Sequence, residues 1–219
     1  MRTKSIVFAA LAGPLMIASG ANAAFEDASV VLIDTADGLD TWHVIANFSA
    51  PTDELLGVGG VPGVGVLSFS SSAPIVNDGG PFDGLKTEDF PAMGFSGARD
   101  TWVSIGDNLT FPNHTDYSPG FAGSDGVNRI IEGSSFGELN GGWFNSNPGN
   151  PVTGSQILMM QLTVPSGTTW SLDGVASWTF EGQPPGEFNS DAFSIVVPTP
   201  GVLALLGLAG IAGTRRRRA

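Results

Sequence analysis

The chain has 219 residues, 31 of them Gly and 15 Pro, with an apolar share of 42%; that is too apolar for a disordered tail and too rich in Gly and Pro for a helix bundle. It has no Cys and two His, His43 and His114, which excludes disulfide scaffolds, thiolate-held metals and thiol nucleophiles, and leaves little for a multi-histidine centre. Outside Arg2, Lys4 and the terminal Arg215, Arg216, Arg217 and Arg218, only Lys86, Arg99 and Arg129 are basic, against 21 acidic residues; a body so acidic repels phosphate backbones and excludes nucleic acid as a partner.

Residues 1–23 read as a secretory signal. Arg2 and Lys4 supply the basic start, 6–17 the apolar stretch, and Ala21-Asn22-Ala23 a small-x-small cleavage site for signal peptidase. As a helix the apolar stretch falls short of the roughly 30 Å of hydrocarbon in a bilayer.

Residues 24–196 read as one β domain. In 41–48, Trp42, Val44, Ala46 and Phe48 share one face while Thr41, His43 and Asn47 take the other. In 156–164 the alternation predicts Leu158, Met160, Leu162 and Val164 together, with Gln161 and Thr163 opposite. Ala176, Trp178 and Phe180 alternate in 175–180, and Phe193, Ile195 and Val197 in 192–197. Further predicted strands are 29–33, 64–70, 102–105 and 129–132. Turns are predicted at Ala36-Asp-Gly-Leu39, Asn77-Asp-Gly-Gly80, Ser124-Asp-Gly-Val127, Asn140-Gly-Gly142 and Gln183-Pro-Pro-Gly186. No interior segment has an apolar stripe at helical spacing. The expected fold is all-β: a single antiparallel sandwich, jelly-roll-like. Asp-Thr-Trp opens a strand-like run twice, at 40–42 and 100–102, as a shared strand-opening pattern or a duplicated unit.

Three kinds of site are weighed within this domain. Asp78, Asp83, Asp125 and Asn128 cluster in loops whose oxygens suit Ca²⁺, although no EF-hand or nonapeptide spacing is present and turn propensity alone places Asp-Gly there. Trp143, in Gly141-Gly-Trp-Phe-Asn145, reads either as a loop aromatic on which a polysaccharide ring stacks or as a plug in the core. Catalysis has the least support: Gly-x-Ser-x-Gly, His-Glu-x-x-His and a phosphate-binding Gly loop with Lys are all missing. His114-Thr-Asp116 carries little specificity, and a carboxylate pair for glycoside hydrolysis is a spatial property. Asn47-Phe-Ser49, Asn108-Leu-Thr110 and Asn113-His-Thr115 match the glycosylation sequon and read as chance matches in an Asn-rich chain.

The last segment is the most specific. Val197-Pro198-Thr199-Pro200-Gly201 precedes an uncharged apolar run ending at Gly213, followed by Arg215, Arg216, Arg217 and Arg218. Paired prolines break a preceding strand, and 201–213 is about 20 Å long as a helix, a marginal span. The arginines would halt translocation and stay in the cytoplasm. This order resembles the PEP-CTERM sorting tail of Gram-negative bacteria, with Thr199 where the name-giving motif has Glu. The resemblance covers 197–219 and implies recognition and processing by an exosortase-type transpeptidase at the inner membrane. An ordinary single-pass anchor is the alternative. The function expected is that of an exported surface or extracellular-matrix protein without a catalytic role; a carbohydrate- or calcium-binding module comes second and a secreted hydrolase third.

Overall fold

The computed structural model describes residues 24–77, 99–106, 115–118, 121 and 133–198. The signal with Ala21 and Ala23, the loop oxygens of Asp78, Asp83, Asp125 and Asn128, the expected strand 129–132, and the tail from Thr199 through Pro200 and Gly201 to Arg218 lie outside them. The described chain is all-β, with no α-helix, in two antiparallel sheets.

The strands are β1 Phe25–Ala36, β2 Leu39–Phe48, β3 Glu54–Gly60, β4 Leu67–Ser71, β5 Trp102–Val103, β6 Thr115–Tyr117, β7 Ser135–Glu138, β8 Gly141–Asn145, β9 Gln156–Pro165, β10 Trp170–Thr179 and β11 Asn189–Val197. The first sheet runs β1-β2-β9-β5. In the second, β10 pairs along its length with β11. On its other side β10 meets β4 through its first half and β3 through its second. β7 lies beyond β4, and β8 then β6 beyond β3.

The two sheets close on one apolar core in sandwich-like fashion. Val44, Ala46, Phe48 and Met160 enter it from the first sheet, and Leu55, Phe69, Leu172 and Trp178 from the second. Aromatic edges bridge the layers: Phe48 meets Trp178 at 6.0 Å and Trp42 meets Trp170 at 6.0 Å, both edge-on. Such pairs contribute about 0.5–1.5 kcal/mol beyond the area they bury.

The β1–β2 turn is Asp37-Gly38, with φ of 55° and 78°. Positive φ at both central residues matches the right-handed twist of the flanking strands, which is why Asp-Gly closes two-residue hairpins. Arg99 caps this hairpin, its guanidinium bonding Asp37 and lying 3.5 Å from Asp34. At the other end of β2, the Asp40 carboxylate accepts from Thr35 and Ser166 hydroxyls and the Gly167 amide, pinning the β9–β10 turn.

Three expectations are corrected. First, 156–164 does not keep one phase. β9 carries a bulge opposite Val44 and Ile45, where the extra residue turns both Met159 and Met160 inward. Ile157 therefore joins the core, and Leu158 pairs with Ile45 on the outer face. Second, Gly141 and Gly142 are strand residues rather than a turn, and β3 was not expected at all. The backbones of β3 and β8 approach so closely that a Cβ on Gly142 would stand 2.0 Å from the Val58 carbonyl oxygen, and one on Gly59 2.5 Å from that of Gly141. Only glycine fits there. Third, Phe180 lies beyond the end of β10 and is 36% exposed.

The two Asp-Thr-Trp runs flank β9 from opposite sides, Thr41 opposite Thr163 and Trp102 opposite Gln161. Trp42 packs against Trp170, whereas Trp102 meets His43. The triplets are in opposite phase, so they share a strand-opening pattern rather than a duplicated structural unit.

Candidate functional site

Trp143 is not a loop platform. It sits on β8 between Val58 of β3 and Tyr117 of β6, is 1% exposed, and its indole N–H donates to the Ser104 carbonyl at 3.2 Å. Strand alternation places its neighbour outward instead. Phe144 is 39% exposed and Phe188, on the β10–β11 connection, 59%. Between them lies a shallow groove of about 270 Å³ on the outer face of the second sheet, floored by Gly57, Gly59 and Gly142. The absent side chains make the groove: any Cβ on this floor would fill it or collide with backbone.

The groove is chemically apolar. Its two hydroxyls are already engaged, Ser118 Oγ accepting from the Gly142 amide at 2.9 Å and Ser177 Oγ bonded to Ser190 Oγ at 3.2 Å. It can hold the C–H face of a flat ring or an aliphatic side chain, and offers no general acid or base. The sequence places a turn at Gly141-Gly142, which left Trp143 as a loop aromatic or a core plug, whereas both glycines open β8. Period-2 alternation carried in from Tyr117 or Val58 would have found Phe144, had the pairing partners been known.

A second surface lies on the outer face of the first sheet. His43 Nε2 lies 3.2 Å from Gln161 Oε1, and the Gln161 amide donates to the Asp100 carbonyl at 2.8 Å. Thr41 and Thr163 hydroxyls meet at 3.0 Å, and the Thr163 amide donates to Thr101 Oγ1 at 3.0 Å. These buried polar groups satisfy one another and fasten the segment around β5 to β9, so the ladder serves a structural end. His43 also borders a cleft of about 280 Å³ with Thr153, Gln156 and Leu158.

Among the described residues, no group of three or more His, Asp or Glu could hold a metal ion. Asp116, on β6, accepts from the Tyr117 amide at 2.8 Å; its expected partner His114 is not described. Asp53 is fully buried, one oxygen accepting from the Ala50 amide at 3.2 Å and Oδ1 having no partner among the described residues. Beside it, partial burial raises the Glu54 carboxyl above its ordinary pKa. Among the described residues no helix is long and apolar enough to cross a membrane. No protein-family model, curated protein or solved structure matches the chain.

Proposed function

We propose that this is an exported surface or extracellular-matrix protein. A removable signal delivers its jelly-roll-like β domain, and the tail from Val197 holds it at the inner membrane for an exosortase-type transpeptidase. The observation that supports this reading is a coincidence of boundaries. The last strand among the described residues, β11, ends at Val197, where the Pro198-Thr199-Pro200 sequence begins and the apolar run and arginines follow. Prolines keep such a junction extended, a shape that a protease cleft accepts and a continuous helix would hide.

Top-down mass spectrometry of the protein from exosortase-containing cells tests it. The expected mature chain starts at Ala24 and lacks Arg215 to Arg218. Pro198→Ala with Pro200→Ala should retain membrane insertion and block cleavage. A natural C-terminus still carrying Arg218 and Ala219 would leave an ordinary anchor in place of a sorting tail.

The groove beside Phe144 favours a second reading, in which the domain also holds exopolysaccharide. Rings flanking an apolar floor offer stacking surfaces for sugar C–H faces. Phe144→Ala and Phe188→Ala should each weaken retention on an exopolysaccharide column by roughly fivefold to tenfold, the loss of about 1 kcal/mol of stacking. Unchanged retention in the double variant removes this reading.

A further inference from the structure

Several strands end together where the chain leaves the fold. Val197, last of β11, pairs with Trp170, first of β10, and Trp170 pairs with Ser71, last of β4. The β9–β10 turn and the β1–β2 hairpin close the same end, joined where the Ser166 amide donates to the Gly38 carbonyl at 2.8 Å. Gly201, where the apolar run begins, lies four residues beyond Val197, a reach of about 14 Å at full extension. The headgroup layer on each side of a bilayer takes up roughly 5–7 Å of that. With the apolar run inserted, this end of the sandwich is held at the headgroups by chain length alone.

Its chemistry suits that place. Ser70, Ser171 and Val196 lie side by side on β4, β10 and β11, and with Thr169 and Pro198 they border an uncharged trough of about 540 Å³. The Ser70, Ser171 and Thr169 hydroxyls have no partner among the described residues and can donate to phosphate and ester oxygens. The acids of this end are already engaged. Arg99, the one Lys or Arg among the described residues, holds Asp34 and Asp37, and Asp40 accepts from Thr35, Ser166 and Gly167. The first acid without such a partner is Asp173, three residues along β10 from Trp170. At the opposite end Glu26, Asp27, Glu181, Glu187 and Asp191 are all exposed, with no cation beside them among the described residues. The eight steps of β11 from Asn189 to Val197 separate the two ends by about 27 Å, some three Debye lengths at physiological salt.

We propose that the end at Val197 is a lipid-facing surface: while the tail is inserted, the hydroxyl trough and the Arg99-capped hairpin rest on zwitterionic headgroups and stand the domain upright on the membrane. The tether gives this surface a high effective concentration at the bilayer, so contacts too weak to bind lipid from solution suffice. Any anionic lipid repels the far acids and favours the same orientation. Phe188 directly precedes β11, so the groove it flanks is turned away from the bilayer, toward extracellular polymer. This arrangement rests on the tail as a membrane anchor, whether or not a transpeptidase later cuts it.

The chain has no Cys, so single cysteine variants of the full chain carry one fluorophore each. In phosphatidylcholine vesicles doped with a headgroup-nitroxide lipid, labels at Val196→Cys, Ser194→Cys and Ala192→Cys form a ruler along the exposed face of β11, about 6.8 Å per step. Quenching should fall along the ruler, reaching roughly fivefold less at Glu187→Cys than at Val196→Cys. Ala36→Cys, across the sandwich at the same end, should be quenched within about twofold of Val196→Cys. Adding Ser70→Ala and Ser171→Ala should roughly halve the Ala36→Cys quenching while the chain still resists alkali extraction; a passive tether would leave it unchanged. Glu187→Cys quenched as strongly as Val196→Cys would mean that the domain lies on its side. A ruler without a gradient would mean that it swings freely, and unchanged quenching in the hydroxyl variant that only the tether acts. Each of the three overturns the proposal with the anchor intact, whereas a parent chain released by alkali overturns the anchor and the proposal together.

Discussion

Gly142→Val is expected to destabilise the domain more than any other single change at the seam of β3 and β8. The added Cβ would stand 2.0 Å from the Val58 carbonyl oxygen and 2.5 Å from the Gly59 Cα. Both are backbone atoms of the neighbouring strand, so no side-chain rotation relieves the clash. β8 would have to separate from β3, and β6, which among the described residues pairs only with β8, would leave with it. Trp143 and Tyr117 would then quit the core. Overpacking ordinarily costs 1–3 kcal/mol; displacing two strands costs more, on the order of 4 kcal/mol or above. In a domain of this size that lowers the melting temperature by roughly 10 °C or more. Gly154→Ala, whose Cβ would meet the Gln156 carbonyl at an ordinary 3.4 Å, is the control and should melt close to the parent. Thermal melts followed by far-UV circular dichroism compare the two. If Gly142→Val melts with its control, the close approach of β3 and β8 is wrong.

The second large effect separates two neighbours. Trp143→Ala removes a side chain that is 1% exposed and packs 5.5 Å from the Phe121 ring, and it deletes the indole N–H bond to the Ser104 carbonyl. The expected cost is about 3–5 kcal/mol. Phe144→Ala removes a ring already 39% exposed on the opposite face and should cost under about 1 kcal/mol. Chemical denaturation of the two variants measures both values. The reverse order, with Phe144 the costly position, would mean that β8 is paired one residue out of phase, since a one-residue slip exchanges the faces of a strand.

Long strands with large alternating side chains were legible, because alternation records which face meets water. β11 follows it throughout, its inward residues buried and its outward ones polar or exposed, and β2 follows it but for a partly buried Trp42 and an apolar Ile45 on its outer face. The Asp37-Gly38 hairpin was legible too, since its chemistry is local. β9 was legible as a strand but not in phase: its residues 157–164 are all buried, so burial on both faces erases the signal, and the bulge at Met159 and Met160 exists only against β2. β3, Glu-Leu-Leu-Gly-Val-Gly-Gly, and the Gly-Gly start of β8 were not legible as strands. Taken singly, glycine favours turns; taken as a pair of facing strands, it permits contact no other residue allows.

By itself, the order of amino acids determined the β character, the core faces of β2 and β11, and the address-like composition of the two ends. These rest on local properties, namely side-chain period, turn chemistry and the transfer energies of charged and apolar residues. The tertiary structure alone decided that Trp143 is core and Phe144 surface, that glycines carve a groove in the second sheet, and that β1 ends the first sheet among the described residues. Each of those depends on which strands lie side by side, and pairing between residues as distant as Val58 and Trp143 leaves no trace in either segment read alone.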